Sequence, residues 1–95
     1  MNLLWAPQAK SELEQIYAYI SKDDPNAAAR LVARIVSVVE DRLTAMPEIG
    51  RAGRVPGTRE LVIAGTPFIV PYRLSGDIIE IARVYHAARK WPERF

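Results

Sequence analysis

One apolar stripe constrains this chain more than any other feature. Between Pro25 and Pro47, the residues Ala28, Leu31, Val32, Ile35, Val39, Leu43 and Met46 recur at three- and four-residue spacing, the period of one helix face. Asp24 ahead of Pro25 places a capping carboxylate before a preorganised first turn, and Pro47 cannot continue a helix. A helix is therefore expected from about 25 to 46. A second stripe, Ala9, Leu13, Ile16, Tyr17 and Ile20, predicts a helix over 8–21. Pro7 suits its first position, and Lys10, Glu12, Glu14 and Gln15 take its wetter side. Two helices with one apolar stripe each and a short link form an antiparallel hairpin laid on another layer.

That layer reads as a sheet. Leu3 to Trp5 is a short first strand. Gly50, Gly53, Pro56 and Gly57 keep 47–58 in a loop ordered by packing. Strands follow over Arg59–Ile63, Thr66–Leu74 and Ile78 to about His86, separated by Ala64-Gly65 and Ser75-Gly76-Asp77 turns. Short turns make an antiparallel meander. Alternation puts Phe68, Val70, Tyr72 and Leu74 on one face, and Ile79, Ile81, Arg83 and Tyr85 on one side of the last strand. Pro71 cannot donate to a ladder, so it marks an edge, a bulge or a break. Trp91-Pro92 reads as a tail packed on the body. The fold class is α+β: an antiparallel two-helix hairpin on a small, mostly antiparallel sheet of about four strands.

A chain of 95 residues holds one core, so 1–95 is a single domain. With no cysteine there is no disulfide, thiol nucleophile or thiolate metal site, which fits a reducing cytoplasm. The opening is too short, and too soon followed by Pro7 and Lys10, for a secretory signal. No apolar run nears the roughly 20 residues that span a bilayer. No phosphate-binding glycine loop, dinucleotide fingerprint, zinc spacing or EF-hand series is present.

Charge is unevenly spread. Residues 1–50 carry five basic and seven acidic side chains; residues 51–95 carry eight and four. The second half can offer a cationic face to an acidic protein or a nucleic acid. Arg51, Arg54 and Arg59 lie on or beside the loop; Arg73, Arg83 and Arg89 come from the meander and its exit. Guanidinium groups match phosphate or carboxylate bidentately. The plainer reading is a solvated surface with local pairs such as Arg59–Glu60 and Glu80–Arg83. His86, the single histidine, reads first as a structural or exposed imidazole, then as an acid or binding contact. Tyr85, Trp91 and Phe95 add aromatic surface that can stack, anchor an interface or pack the tail.

Trp5-Ala6-Pro7-Gln8-Ala9, Leu13…Ile16…Tyr19-Ile20, Met46-Pro47…Gly50-Arg51…Gly53-Arg54, Pro56-Gly57-Thr58-Arg59-Glu60-Leu61 and Ala88-Arg89…Trp91-Pro92 stand in an order that resembles the RelE/ParE superfamily. These are toxins of bacterial type II toxin–antitoxin systems, also called plasmid stabilisation proteins. The resemblance covers nearly the whole chain and is nearest the ParE-like branch. It implies a cytoplasmic toxin neutralised by a cognate antitoxin, with no cofactor, no metal and no membrane partner. Operator DNA would be reached only through the antitoxin. ParE-like members inhibit DNA gyrase, and that target is favoured, with Arg51, Arg54, Arg59, Arg73, Arg89, Lys90 and Trp91 as its binding residues. Leu13, Tyr17 and Leu31 are expected to meet the antitoxin. RelE-like members instead cleave messenger RNA on the ribosome. That alternative would use Arg59, Arg83, His86 and Glu48, with Tyr85 assisting, but no tyrosine closes the chain. A non-toxic module that only pairs with an antitoxin is the third class.

Overall fold

The computed structural model describes residues 1–95. In chain order it contains β1 (Asn2–Trp5), α1 (Pro7–Ser21), α2 (Pro25–Ala45), β2 (Arg51–Ala52), β3 (Arg59–Val62), β4 (Phe68–Ser75), β5 (Ile78–Ile81) and β6 (Tyr85–His86). Both helices form where their stripes demand. Asp24 caps α2 by accepting from the Ala27 amide at 3.1 Å, with Pro25 in the first turn. Ala6, which has no capping side chain, instead donates its amide to the Ile81 carbonyl at 2.9 Å, tying the start of α1 to the sheet.

The sheet runs β1-β5-β4-β3-β2, with β6 also on β4. Only β1–β5 is parallel; the remaining pairs are antiparallel, as the short turns require. Gly65 and Gly76 supply the positive φ, 79° and 56°, that turns the chain between β3 and β4 and between β4 and β5. The helices cover one face. Ile35, Val39 and Leu43 of α2 and Ala9 of α1 pack on Leu61, Val70, Tyr72, Ile79 and Ile81, each large aliphatic contributing on the order of 1.5–3 kcal/mol.

Six strands form where about four were expected, for two reasons. The loop 47–58 folds back so that Arg51 and Ala52 pair with Glu60 and Arg59. The last strand is also broken. Tyr72 pairs with Ile81 and Ile69 with Tyr85, so three steps along β4 face four between Ile81 and Tyr85. That is a bulge, and Pro71 causes it. Its carbonyl accepts from Ala82 at 3.0 Å, but its ring nitrogen returns nothing to the ladder. Alternation fails across the bulge. Ile81 joins the helix-side core, while Tyr85 pairs with Ile69 on the other face; the shared side expected for Ile79, Ile81, Arg83 and Tyr85 does not form.

The loop 47–50 is ordered by hydrogen bonds as well as by packing. The buried Tyr72 hydroxyl donates to the Pro47 carbonyl at 2.7 Å and accepts from the Gly50 amide at 2.8 Å. A Cβ at position 50 would sit 2.6 Å from the Tyr72 ring, so only glycine lets the loop approach. Burial pushes the Tyr72 hydroxyl above its ordinary 10.0, against the opposing pull of the Gly50 amide and Arg59. The folded state thus holds this proton more tightly than the unfolded chain. The stabilisation is complete below pH 10 and is lost as pH rises through the folded value. Melting temperature is expected to fall more steeply above about pH 10 than in Tyr72→Phe, which itself loses about 1–3 kcal/mol at neutral pH. Parallel slopes in thermal melts across that range would refute this.

Candidate functional site: two carboxylates that gather the arginines

Two acidic side chains organise the basic half of the molecule. Glu60 stands on β3, facing away from the helices, with its side chain only 1% exposed. Arg51 reaches it across the β2–β3 pair, Nε at 3.1 Å and Nη2 at 3.0 Å from Oε1. The Arg54 amide donates to Oε2 at 2.8 Å, and its guanidinium lies 3.6 Å away. The guanidiniums remain 54% and 43% exposed. Each has one side on a buried anion and one side in water.

Glu12 is the second carboxylate, and it overturns its expected place on the wet side of α1. It is 7% exposed. Arg83 grips it bidentately, Nε to Oε1 at 3.0 Å and Nη2 to Oε2 at 2.9 Å. The Val84 amide, freed by the bulge, donates to Oε1 at 2.9 Å, and Arg89 Nη1 reaches Oε2 at 3.2 Å. The hydrogen bonds that Arg83 donates to Glu12 hold it still further in its charged form. Glu12 lies three residues after Ala9 and four before Ile16, on the border of the apolar stripe. That spacing was the available signal for its burial.

The local pairs read from the sequence give way to these. Neighbours on a strand point to opposite faces, so Arg59 cannot meet Glu60. Arg59 donates Nη1 to the carbonyls of Glu48 and Gly50, both at 3.0 Å. Glu80 pairs with Arg73 at 3.1 Å rather than with Arg83.

Residues 87–95 cross the sheet face that the helices leave open. Trp91 and Phe95 pack edge-on to Tyr85, at 5.0 and 5.8 Å between centroids, so Trp91 does pack the tail to the body. Arg54 stacks on Trp91 at 4.1 Å. Tyr85 is buried, with the Arg83 and Arg89 guanidiniums 4.5 and 4.4 Å from its ring centre. Lys90 is exposed on the same segment.

The phosphate clamp and the proton-transfer groups expected of a nuclease do not all converge. Arg59 is opposite Tyr72 and His86 opposite Phe68, about 13 Å apart along β4 at ~3.3 Å per residue. Glu48 stays at the Arg59 end, on the surface. His86 is exposed, edge-on to Phe68, and its Nδ1 accepts from the Ala88 amide at 3.1 Å. It borders a groove of about 250 Å³ with Glu12, Ile16, Ile20, Phe68 and Arg89. Leu13 and Leu31 are half-buried against the core, whereas Tyr17 is 43% exposed. No group of His, Cys, Asp and Glu is placed to hold a metal ion, and no helix is long and apolar enough to cross a membrane.

A helical hairpin on this small mixed sheet is an architecture already seen in toxin modules. The chain superposes on a solved structure from the chromosomal ParDE toxin–antitoxin system of P. aeruginosa with a TM-score of 0.81 and 34% identity, over 90% of this chain and 95% of that one. Residues 3–91 match the family model of the ParE toxin of the type II toxin–antitoxin system parDE. Protein Y4kP of Sinorhizobium fredii is 53% identical over 92 residues, 97% of this chain and 94% of its own length. Toxin RelE2 of Caulobacter vibrioides is 33% identical over 88 residues, covering 93% and 97%. The chain belongs to the RelE/ParE toxin superfamily, close to the ParE-like toxins. It is the toxin component of a type II toxin–antitoxin system.

Proposed function

We propose that this toxin inhibits DNA gyrase by binding it, without a chemical step, and that its cognate antitoxin neutralises it in the cytoplasm. The observation that carries the reading is the separation of Arg59, with Glu48 beside it, from His86, about 13 Å along the β4 register at ~3.3 Å per residue. General acid–base catalysis needs its groups within hydrogen-bond reach of one substrate. Binding needs only a presented surface. Half-exposed arginines around an aromatic tail are the composition of an interface anchor, and the family match supports the ParE-like target.

Purified toxin should block gyrase supercoiling and leave RNA intact. Messenger cleavage in translating cells with supercoiling untouched would overturn the reading in favour of a nuclease. Untouched supercoiling, intact messages and harmless expression together would favour a module that only pairs with its antitoxin. His86→Gln separates the first two cheaply. The imidazole is exposed, so binding and stability should change by no more than about twofold, while a nuclease using His86 would be silenced. Toxicity measured beside a thermal melt decides between them.

The antitoxin is expected to bring a short amphipathic helix and an acidic or extended tail. The groove between α1 and β6, lined by Ile16, Tyr19, Ile20 and Phe68, suits its apolar face. The open edge at β1 suits a strand. Operator DNA is reached through the antitoxin, so toxin alone should bind it weakly and with strong salt dependence.

A further inference from the structure

Residues 87–95 carry no regular structure, and no backbone hydrogen bond involves 90–95. The Ala87 amide donates to the Pro67 carbonyl at 2.8 Å, and beyond Arg89 side chains alone hold the segment. Trp91 contributes packing, but docking it leaves its indole N–H buried without a partner, so the aromatic contact is incompletely satisfied. The polar anchor is Arg89 on Glu12. Arg83 and Arg89 both stack on the one ring of Tyr85. Two cations held that close repel each other, and Glu12 is the one carboxylate that both touch.

We propose that Glu12 is the positioning residue of the target-binding surface: its carboxylate latches the C-terminal segment onto the sheet. Without that charge the more exposed cation, Arg89 at 52%, leaves Tyr85 and takes Trp91 and Phe95 with it. The functional half of this inference rests on the gyrase reading; the latch itself does not.

The test is limited trypsin digestion of the full chain, read by mass spectrometry, beside gyrase inhibition and a thermal melt. In Glu12→Gln, cleavage after Arg89, Lys90 and Arg94 should accelerate about tenfold while other sites cut as in wild type, because proteolysis follows the opened population. Inhibition should fall about tenfold. Glu12→Asp keeps the charge and should restore most of both. A folded Glu12→Gln whose tail is cut at the wild-type rate overturns the proposal, as does acceleration spread evenly over all sites. Should Glu12→Gln fail to fold, Arg89→Gln leaves Arg83 and Val84 on Glu12 and carries the same expectation at Lys90 and Arg94, with unchanged cleavage there as refutation. A tail that opens as expected, in a toxin whose wild type never inhibits gyrase, sinks the target reading and upholds the latch.

Discussion

Replacing Arg51 and Arg54 together with alanine is expected to cost on the order of 3 kcal/mol of stability, although both guanidiniums are half in water. The reason is Glu60. Its side chain is 1% exposed, and without the two arginines its charge keeps only the Arg54 amide as a donor. A buried carboxylate stripped of its cations is far costlier than a lost surface ion pair. Each single replacement leaves one cation in place and should cost about 1 kcal/mol or less. Adding Glu60→Gln to the double variant removes the stranded charge and should recover most of the loss. Urea unfolding of the four variants beside the wild type checks this; a double variant that merely adds two small effects, with no rescue by Glu60→Gln, would refute it. Lost toxicity in such a variant would report a disordered loop as readily as a lost contact with gyrase.

This dual duty explains what could be read from the sequence. The helices, the Asp24 cap and the turn glycines are local signals, carried by spacing and by residues whose backbone preferences are strong, and they form where expected. Pro71 announced a defect in the sheet but not its kind. The bulge opposite it moves Tyr85 to the far face and aims the Val84 amide at α1. A carboxylate bordering an apolar stripe normally points outward, and Glu12 departs from that rule. Its partners lie 71 to 77 residues away, beyond any local pattern. Pairing within the basic half follows strand register rather than sequence neighbours. The β4–β5 hairpin register joins Glu80 to Arg73, and Glu60 meets Arg51 only because the loop folds back as β2. Charge asymmetry was visible at once; the buried anions that organise it were not.

Those anions also single out the cations that are free to act on a partner. Lys90 and Arg94 take part in none of the ion pairs, and both are exposed. Arg51, Arg54, Arg73, Arg83 and Arg89 each hold a carboxylate of this chain. With gyrase as the proposed target, Lys90→Glu with Arg94→Glu is therefore expected to weaken inhibition about a hundredfold, since like charges brought together at an interface cost several kcal/mol. The melt should not move, because no intramolecular pair is lost. The loss should appear mainly in the association rate and shrink at high salt, where screening shortens the reach of both charge patterns. Lys10→Glu with Arg30→Glu changes the net charge equally, from the opposite half of the chain. That control should inhibit gyrase as wild type does. If both double variants lose inhibition alike, net charge and not the tail governs the encounter. If neither does, the target meets another face of the toxin.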